Sequence, residues 1–100
     1  MNITVHTHSG HYTVTLGGQF TFTDHPAFRE VLDSIDRADV TCVTMDLSRV
    51  EFVDSAALGM LLLANDAAKK TSKKLVIRGT QGQVKKMFDM ANFHTMFTLE

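Results

Sequence analysis

Asp54 and Ser55 are the adjacent residues of this 100-residue sequence whose types and placement best support chemistry. They follow Phe52 and Val53, which we expect to return to the core, and they precede the apolar run 56–64, so they should open a helix after a strand. Unpaired N–H groups and the positive helix end meet there, which suits a serine that carries a phosphate. Asp54 could cap the helix, or hold a metal or catalytic group during transfer. An ordinary N-cap explains the same pair, and the two roles are compatible.

Histidine and lysine clusters carry weaker signals. His6 and His8 project from one strand face near His11, but no carboxylate in this hairpin completes a site, so we expect surface histidines and no bound metal. The lysines lack interleaved aromatic residues, and ten basic against eleven acidic residues give a net charge of −1, which argues against nucleic-acid binding. The sequence has neither a G-x-S-x-G elbow nor a phosphate loop, so we predict a non-enzyme without a cofactor.

Composition indicates a folded domain in a reducing compartment. The chain is 44% hydrophobic and 21% charged, which is typical of globular proteins. A single cysteine, Cys42, cannot form an internal disulfide. The first residues lack a signal-peptide pattern, and the run 56–64 is shorter than the ~20 residues of a membrane span. We therefore expect a cytoplasmic protein with no direct membrane insertion.

Apolar periodicity predicts the elements that position Asp54 and Ser55. Alternation, or a short apolar run, predicts strands around 3–5, 12–16, 42–47, 75–77 and 97–99. The first two should form a hairpin through a turn at 8–11, and residues 19–22 could extend the second past a bulge at Gly17-Gly18. Helical spacing predicts one helix that starts after Thr23 or Asp24 with Pro26 in its first turn, and two more over 55–70 and 81–91. The expected fold is α/β: one domain over 1–100, with helices packed against a mixed sheet.

The central segment resembles a known family signature. Asp46-Leu47-Ser48, then Val50, then Phe52-Val53-Asp54-Ser55-Ala56, then Leu58-Gly59 is similar to the signature of STAS domains, specifically of bacterial anti-sigma factor antagonists. The similarity extends to the opening hairpin, to Gly18 and to the late segment 84–90, so it covers nearly the whole chain.

The resemblance implies a protein–protein switch. In that family, a partner that is both an anti-sigma factor and a serine kinase of the histidine-kinase-like ATPase type phosphorylates the serine after the aspartate, and a serine phosphatase resets it. Carried over, Ser55 is the phosphoacceptor and Asp54 is its supporting neighbour. Met60 could line an adaptable docking surface. The expected partner-binding residues are Asp54, Ser55, Ala56, Leu58, Gly59, Met60, Thr21 and Phe22.

Departures from the family pattern keep other functions open. Gln19 and Thr21 stand where the family often has acidic residues, and Ala57 stands where a glycine is usual. The main alternative is a constitutive STAS accessory subunit of an ABC-type transporter or of a signalling scaffold. A third is a small-ligand module with a pocket near Thr21, Phe22 and Ser55. A homodimer is compatible with the sequence, although no coiled-coil or exposed apolar stripe requires one.

Overall fold

Five strands form one mixed sheet in the spatial order of the sequence, with the first two antiparallel and the remaining pairs parallel. The computed structural model describes all 100 residues except the side chain of His94. The strands are β1 Asn2–His8, β2 His11–Phe20, β3 Cys42–Val53, β4 Lys74–Arg78 and β5 Thr98–Leu99; the helices are α1 His25–Ile35, α2 Ser55–Lys70 and α3 Gly82–Met90. Short 3₁₀ turns occupy Phe22–Asp24 and Phe93–Thr95. The predicted α/β fold with helices on a mixed sheet is confirmed.

All three helices pack on one face of the sheet. Each parallel connection moves one strand further in the same direction, so right-handed crossovers place every helix on the same side. Leu75 and Ile77 join the single core cluster, but Val76 between them does not. Val76 is nevertheless buried, lying between Thr44 and Thr98 of the neighbouring strands.

Strand β3 is twice as long as the predicted strand 42–47, because it continues to Val53 where a loop was expected. The register explains why the alternation disappears. Thr15 pairs with Asp46, whereas Gly17, two residues on, pairs with Arg49, and a second shift follows Gly18. Each shift inserts an extra residue into β3, which is the geometry of a β-bulge. The bulge predicted near Gly17-Gly18 is confirmed.

The chain turns sharply after β2, so residues 19–22 do not all extend that strand. β2 ends at Phe20, and Phe22 begins the first 3₁₀ turn. α1 follows with Asp24 at its N-cap position and Pro26 in its first turn, as predicted. The carboxylate of Asp24 accepts a hydrogen bond from the preceding Thr21 amide at 2.8 Å, rather than from an amide in the first turn of α1. This bond closes the turn that brings Phe22 to the start of α2.

Candidate functional site

Asp54 joins three elements at the carboxyl end of β3. One carboxylate oxygen, Oδ1, accepts a hydrogen bond from the Ala57 amide at 2.8 Å and caps α2. The other, Oδ2, accepts from the Phe22 amide at 3.1 Å and holds the 3₁₀ turn. The amide of Asp54 donates to the Phe20 carbonyl at 3.3 Å and continues the pairing with β2. The predicted N-cap is confirmed, and both carboxylate oxygens are occupied by backbone amides. The residue therefore caps α2 immediately before Ser55 and also holds the 3₁₀ turn beside it.

Ser55 is the first residue of α2, and its side chain is exposed. Its hydroxyl forms no hydrogen bond with any side chain or backbone group that the structure describes, whereas each oxygen of the neighbouring Asp54 carboxylate accepts one backbone amide. At this position the backbone N–H groups of the first turn point outward and the helix dipole is positive. A phosphate on the Ser55 oxygen would meet a favourable field from the helix, so the position suits a reversible phosphoester.

The end of β3 is fixed from the other side by α3. The Gln83 side chain accepts from the Val53 amide at 3.0 Å and donates to the Val53 carbonyl at 3.0 Å. A second glutamine, Gln81, donates to the Ser48 carbonyl at 2.7 Å. These three bonds satisfy backbone groups that would otherwise be left without a partner. As a result, α3 holds Val53, while the 3₁₀ turn and β2 hold Asp54. These contacts fix the backbone that leads into Ser55.

Exposed apolar and small residues lie at the turn of Phe22 and along α2 after Ser55. Phe22 is 68% exposed and lies at the 3₁₀ turn that Asp54 anchors. Ala56, Gly59 and Leu63 are all exposed and follow one another at helical spacing along α2. We call Phe22, Ser55, Ala56, Gly59 and Leu63 the Ser55 surface. Its small residues would allow a partner's backbone to approach α2 closely.

Several residues predicted for this surface lie elsewhere. Met60 is 3% exposed and Leu58 is 9% exposed, and both belong to the core cluster. The prediction that Met60 lines a docking surface is therefore wrong, because α2 turns it toward the sheet together with Leu61 and Ala64. Thr21 is half-buried and its hydroxyl is paired with that of Thr23 at 2.9 Å. Conversely Phe52, expected in the core, is 39% exposed because the bulges of β3 shift its alternation.

One carboxylate near the site has a shifted pKa. The hydroxyl and amide of Ser48 hydrogen-bond to Asp46 and lower the pKa of its carboxyl, with Arg78 and Arg49 adding a favourable charge. The amide bond measures 2.9 Å and closes a turn across the first bulge of β3. Asp46 therefore stabilises the bulged half of the strand that leads to Asp54.

Sequence reasoning missed the contributions of Gln83 and Leu63. A glutamine near a helix start has no local pattern that announces a contact 30 residues away. Leu63 was detectable, because it falls seven residues after Ala56 and off the buried stripe of α2. It is 50% exposed.

The best-defined surface cavities of the described residues lie away from Ser55. One of them, of about 550 Å³, is lined by residues 48–51 and 81–83. Among the side chains that the structure describes, no three His, Cys, Asp or Glu residues are placed to hold a metal ion. In the same part of the chain, no helix has the length and apolarity needed to cross a membrane. The site thus presents a surface around one hydroxyl.

Comparisons with known proteins agree with this geometry. The family model described as "Mlab, STAS domain" matches residues 3–99. A STAS-domain containing protein of Pseudomonas aeruginosa is 32% identical, over 87% of this chain and 85% of its own. The anti-sigma-B factor antagonist of Staphylococcus epidermidis is 29% identical, over 90% and 83%. The solved structure of an anti-sigma factor antagonist from Mycobacterium paratuberculosis superimposes with a TM-score of 0.85 at 19% identity, covering 98% of this chain and 83% of that one. These relatives support the interpretation as an anti-sigma factor antagonist. The chain belongs to the STAS domain family.

Proposed function

We propose that this protein is an anti-sigma factor antagonist in which reversible phosphorylation of Ser55 controls binding to a protein partner. The partner is an anti-sigma factor that is also a serine kinase of the histidine-kinase-like ATPase type, and a serine phosphatase removes the phosphate. In this role the protein is a regulatory binding protein of the cytoplasm rather than an enzyme. The observation that carries the proposal is the exposed, unbonded hydroxyl of Ser55 on a helix start that Asp54 holds rigidly.

Asp54 fixes the backbone next to the phosphoacceptor, since its two oxygens accept backbone amides at 2.8 Å and 3.1 Å. In the proposed transfer, this chain supplies the nucleophile and a base of the kinase removes the Ser55 proton. During transfer the Ser55 oxygen forms a bond to the γ-phosphorus of ATP, the bond to the leaving ADP oxygen breaks, and the serine proton passes to that base.

Phosphorylation would change the Ser55 surface by charge more than by shape. A phosphoserine adds about two negative charges at neutral pH. It would stand among Phe22, Ala56, Gly59 and Leu63, none of which carries a compensating positive charge. A partner packed closely against these residues would lose binding through the cost of desolvating the phosphate. The unmodified form is thus the binding form.

Gln19 and Thr21 bear on the choice of kinase. Both stand where relatives often carry acidic residues, so this chain presents fewer carboxylates at the end of β2. We expect a partner whose docking surface near Phe22 is less basic than that of a kinase specific for acidic antagonists.

The test compares bait proteins in the native cell extract. Wild type, Ser55→Glu and Ala38→Glu are used, because Ala38 is also exposed and controls for added charge away from the start of α2. Capture of an ATPase of the serine-kinase type by wild type and Ala38→Glu, with loss by Ser55→Glu, is the expected result. Incubation of that ATPase with ATP should label wild type and leave Ser55→Ala unlabelled.

Two results would contradict the proposal. Equal capture of a transporter ATPase or of a scaffold protein by all three baits would favour the constitutive accessory-subunit alternative. Labelling that persists in Ser55→Ala would show that another residue is the phosphoacceptor.

A further inference from the structure

Strand β1 forms a free edge of the sheet, since β2 is its only neighbour. Its sequence, NITVHTH, contains no proline, lysine, arginine or carboxylate over seven residues. Monomeric proteins commonly protect such edges with these residues or with a covering element. Val5, at the middle of the strand, is 52% exposed. The edge therefore offers unprotected backbone groups beside an exposed apolar side chain.

The hairpin fixes which backbone groups face outward. Ser9 and Gly10, with φ of 50° and 83°, form a two-residue turn that His8 and His11 close. The turn hydrogen bond joins those two closing residues, and antiparallel ladders alternate bonded with non-bonded pairs. The residues of β1 whose N–H and C=O groups point away from β2 are therefore Ile3, Val5 and Thr7.

These outward groups are self-complementary. Placing a two-fold axis at Val5 pairs Val5 with its copy, Ile3 with Thr7, and Thr7 with Ile3. Every outward group then finds a partner, giving about six hydrogen bonds from three bonded pairs. On the opposite face, His6 of each copy lies against Thr4 of the other. No two histidines are directly opposed, so the contact brings no like charges together.

We propose that this protein forms a homodimer by antiparallel pairing of its β1 strands about Val5, which joins the two sheets into one. Exposed Val5 side chains cover one another across the axis. The contact involves only seven residues from each copy, so the interface is small and the dimer is weak and reversible. Ser55 lies on α2 and not on the pairing strand, so dimer formation should not require the Ser55 hydroxyl.

Sedimentation velocity of the full chain, from about 1 µM to about 500 µM, measures the equilibrium. Wild type should shift from monomer toward dimer as concentration rises. Val5→Pro removes an outward N–H without breaking a bond to β2, and Val5→Lys brings two cations together at the axis. Both variants should remain monomeric, while Val5→Thr, which keeps the N–H and the branched shape, should dimerise. Urea unfolding shows that each variant is folded.

The register is tested by cross-linking in a Cys42→Ser background. Val5→Cys should form a disulfide-linked dimer on mild oxidation, whereas Leu63→Cys, at the similar exposure of 50%, should form much less. A wild type that stays monomeric to the highest concentration would overturn the proposal. So would a dimer that persists in folded Val5→Pro and Val5→Lys, or equal cross-linking at both cysteines.

Discussion

The Ser55 site and the β1 edge are both exposed, but they are built in different ways. At the site, side chains of Asp54 and Gln83 bind backbone groups of other elements. At the edge, the free groups belong to the backbone alone, and the register is given by the hairpin. The difference teaches that several elements are needed to position one hydroxyl, whereas the hairpin alone defines the outward backbone groups of the edge. Mutations can test the Ser55 site and the β1 edge independently.

Replacing Asp54 should have the largest effect. Asp54→Ala removes the cap of α2 and the anchor of Phe22, and leaves two backbone amides without their acceptor. We expect a loss of about 2–3 kcal/mol in the free energy of unfolding, measured by urea titration. Asp54→Asn keeps one amide acceptor and should lose less. Equal stability of Asp54→Ala and wild type would show that the site does not depend on this anchor.

Removing Gln83 should weaken the site by a smaller amount. Gln83→Ala deletes both bonds to Val53, and we expect a loss of about 1–2 kcal/mol by the same titration. Gln81→Ala is the matched control, since its single bond to the Ser48 carbonyl is exposed. Hydrogen exchange of the Val53 amide should also accelerate in Gln83→Ala. If the two variants lose the same free energy of unfolding, the two hydrogen bonds between Gln83 and Val53 contribute no more than the single bond of Gln81.

Acid should loosen the bulged half of β3. Because the pKa of Asp46 is lowered in the folded state, its contribution to stability is complete above the unfolded pKa and is lost as pH falls through the folded value. Between pH 7 and about pH 3, wild type should therefore lose more stability than Asp46→Asn, by less than about 1 kcal/mol because the carboxyl is partly exposed. Asp66→Asn is the exposed control. An identical pH dependence for Asp46→Asn and wild type would contradict this role.

Ser55→Ala should have the smallest effect on stability. The hydroxyl has no partner among the described residues, so the free energy of unfolding should change by less than about 0.5 kcal/mol. Urea titration beside Asp54→Ala gives the comparison directly. A loss above about 1 kcal/mol in Ser55→Ala would show that the hydroxyl makes a structural contact. Ser55 would then stabilise the fold as Asp54 does.

Local patterns predicted most of the fold and the start of α2. The hairpin, the cap at Asp54 and the buried stripe of α2 depend on residues close in sequence, so periodicity and capping preferences were sufficient. The second half of β3 was not predicted because two bulges interrupt its apolar alternation. For the same reason, the exposure of Phe52 was not predicted. Met60 lies on that buried stripe, as periodicity predicted, and only its assignment to the partner-binding surface was wrong.

The topology of the sheet also has a consequence for folding order. The β1–β2 hairpin closes over two residues and can form in about 1–10 µs. The bonds at Ser55 instead join distant parts of the chain: Phe22 to Asp54 spans 32 residues, and Val53 to Gln83 spans 30. Such contacts form only after longer loops have closed. During synthesis, the surface around Ser55 is therefore finished only after Gln83 has left the ribosome.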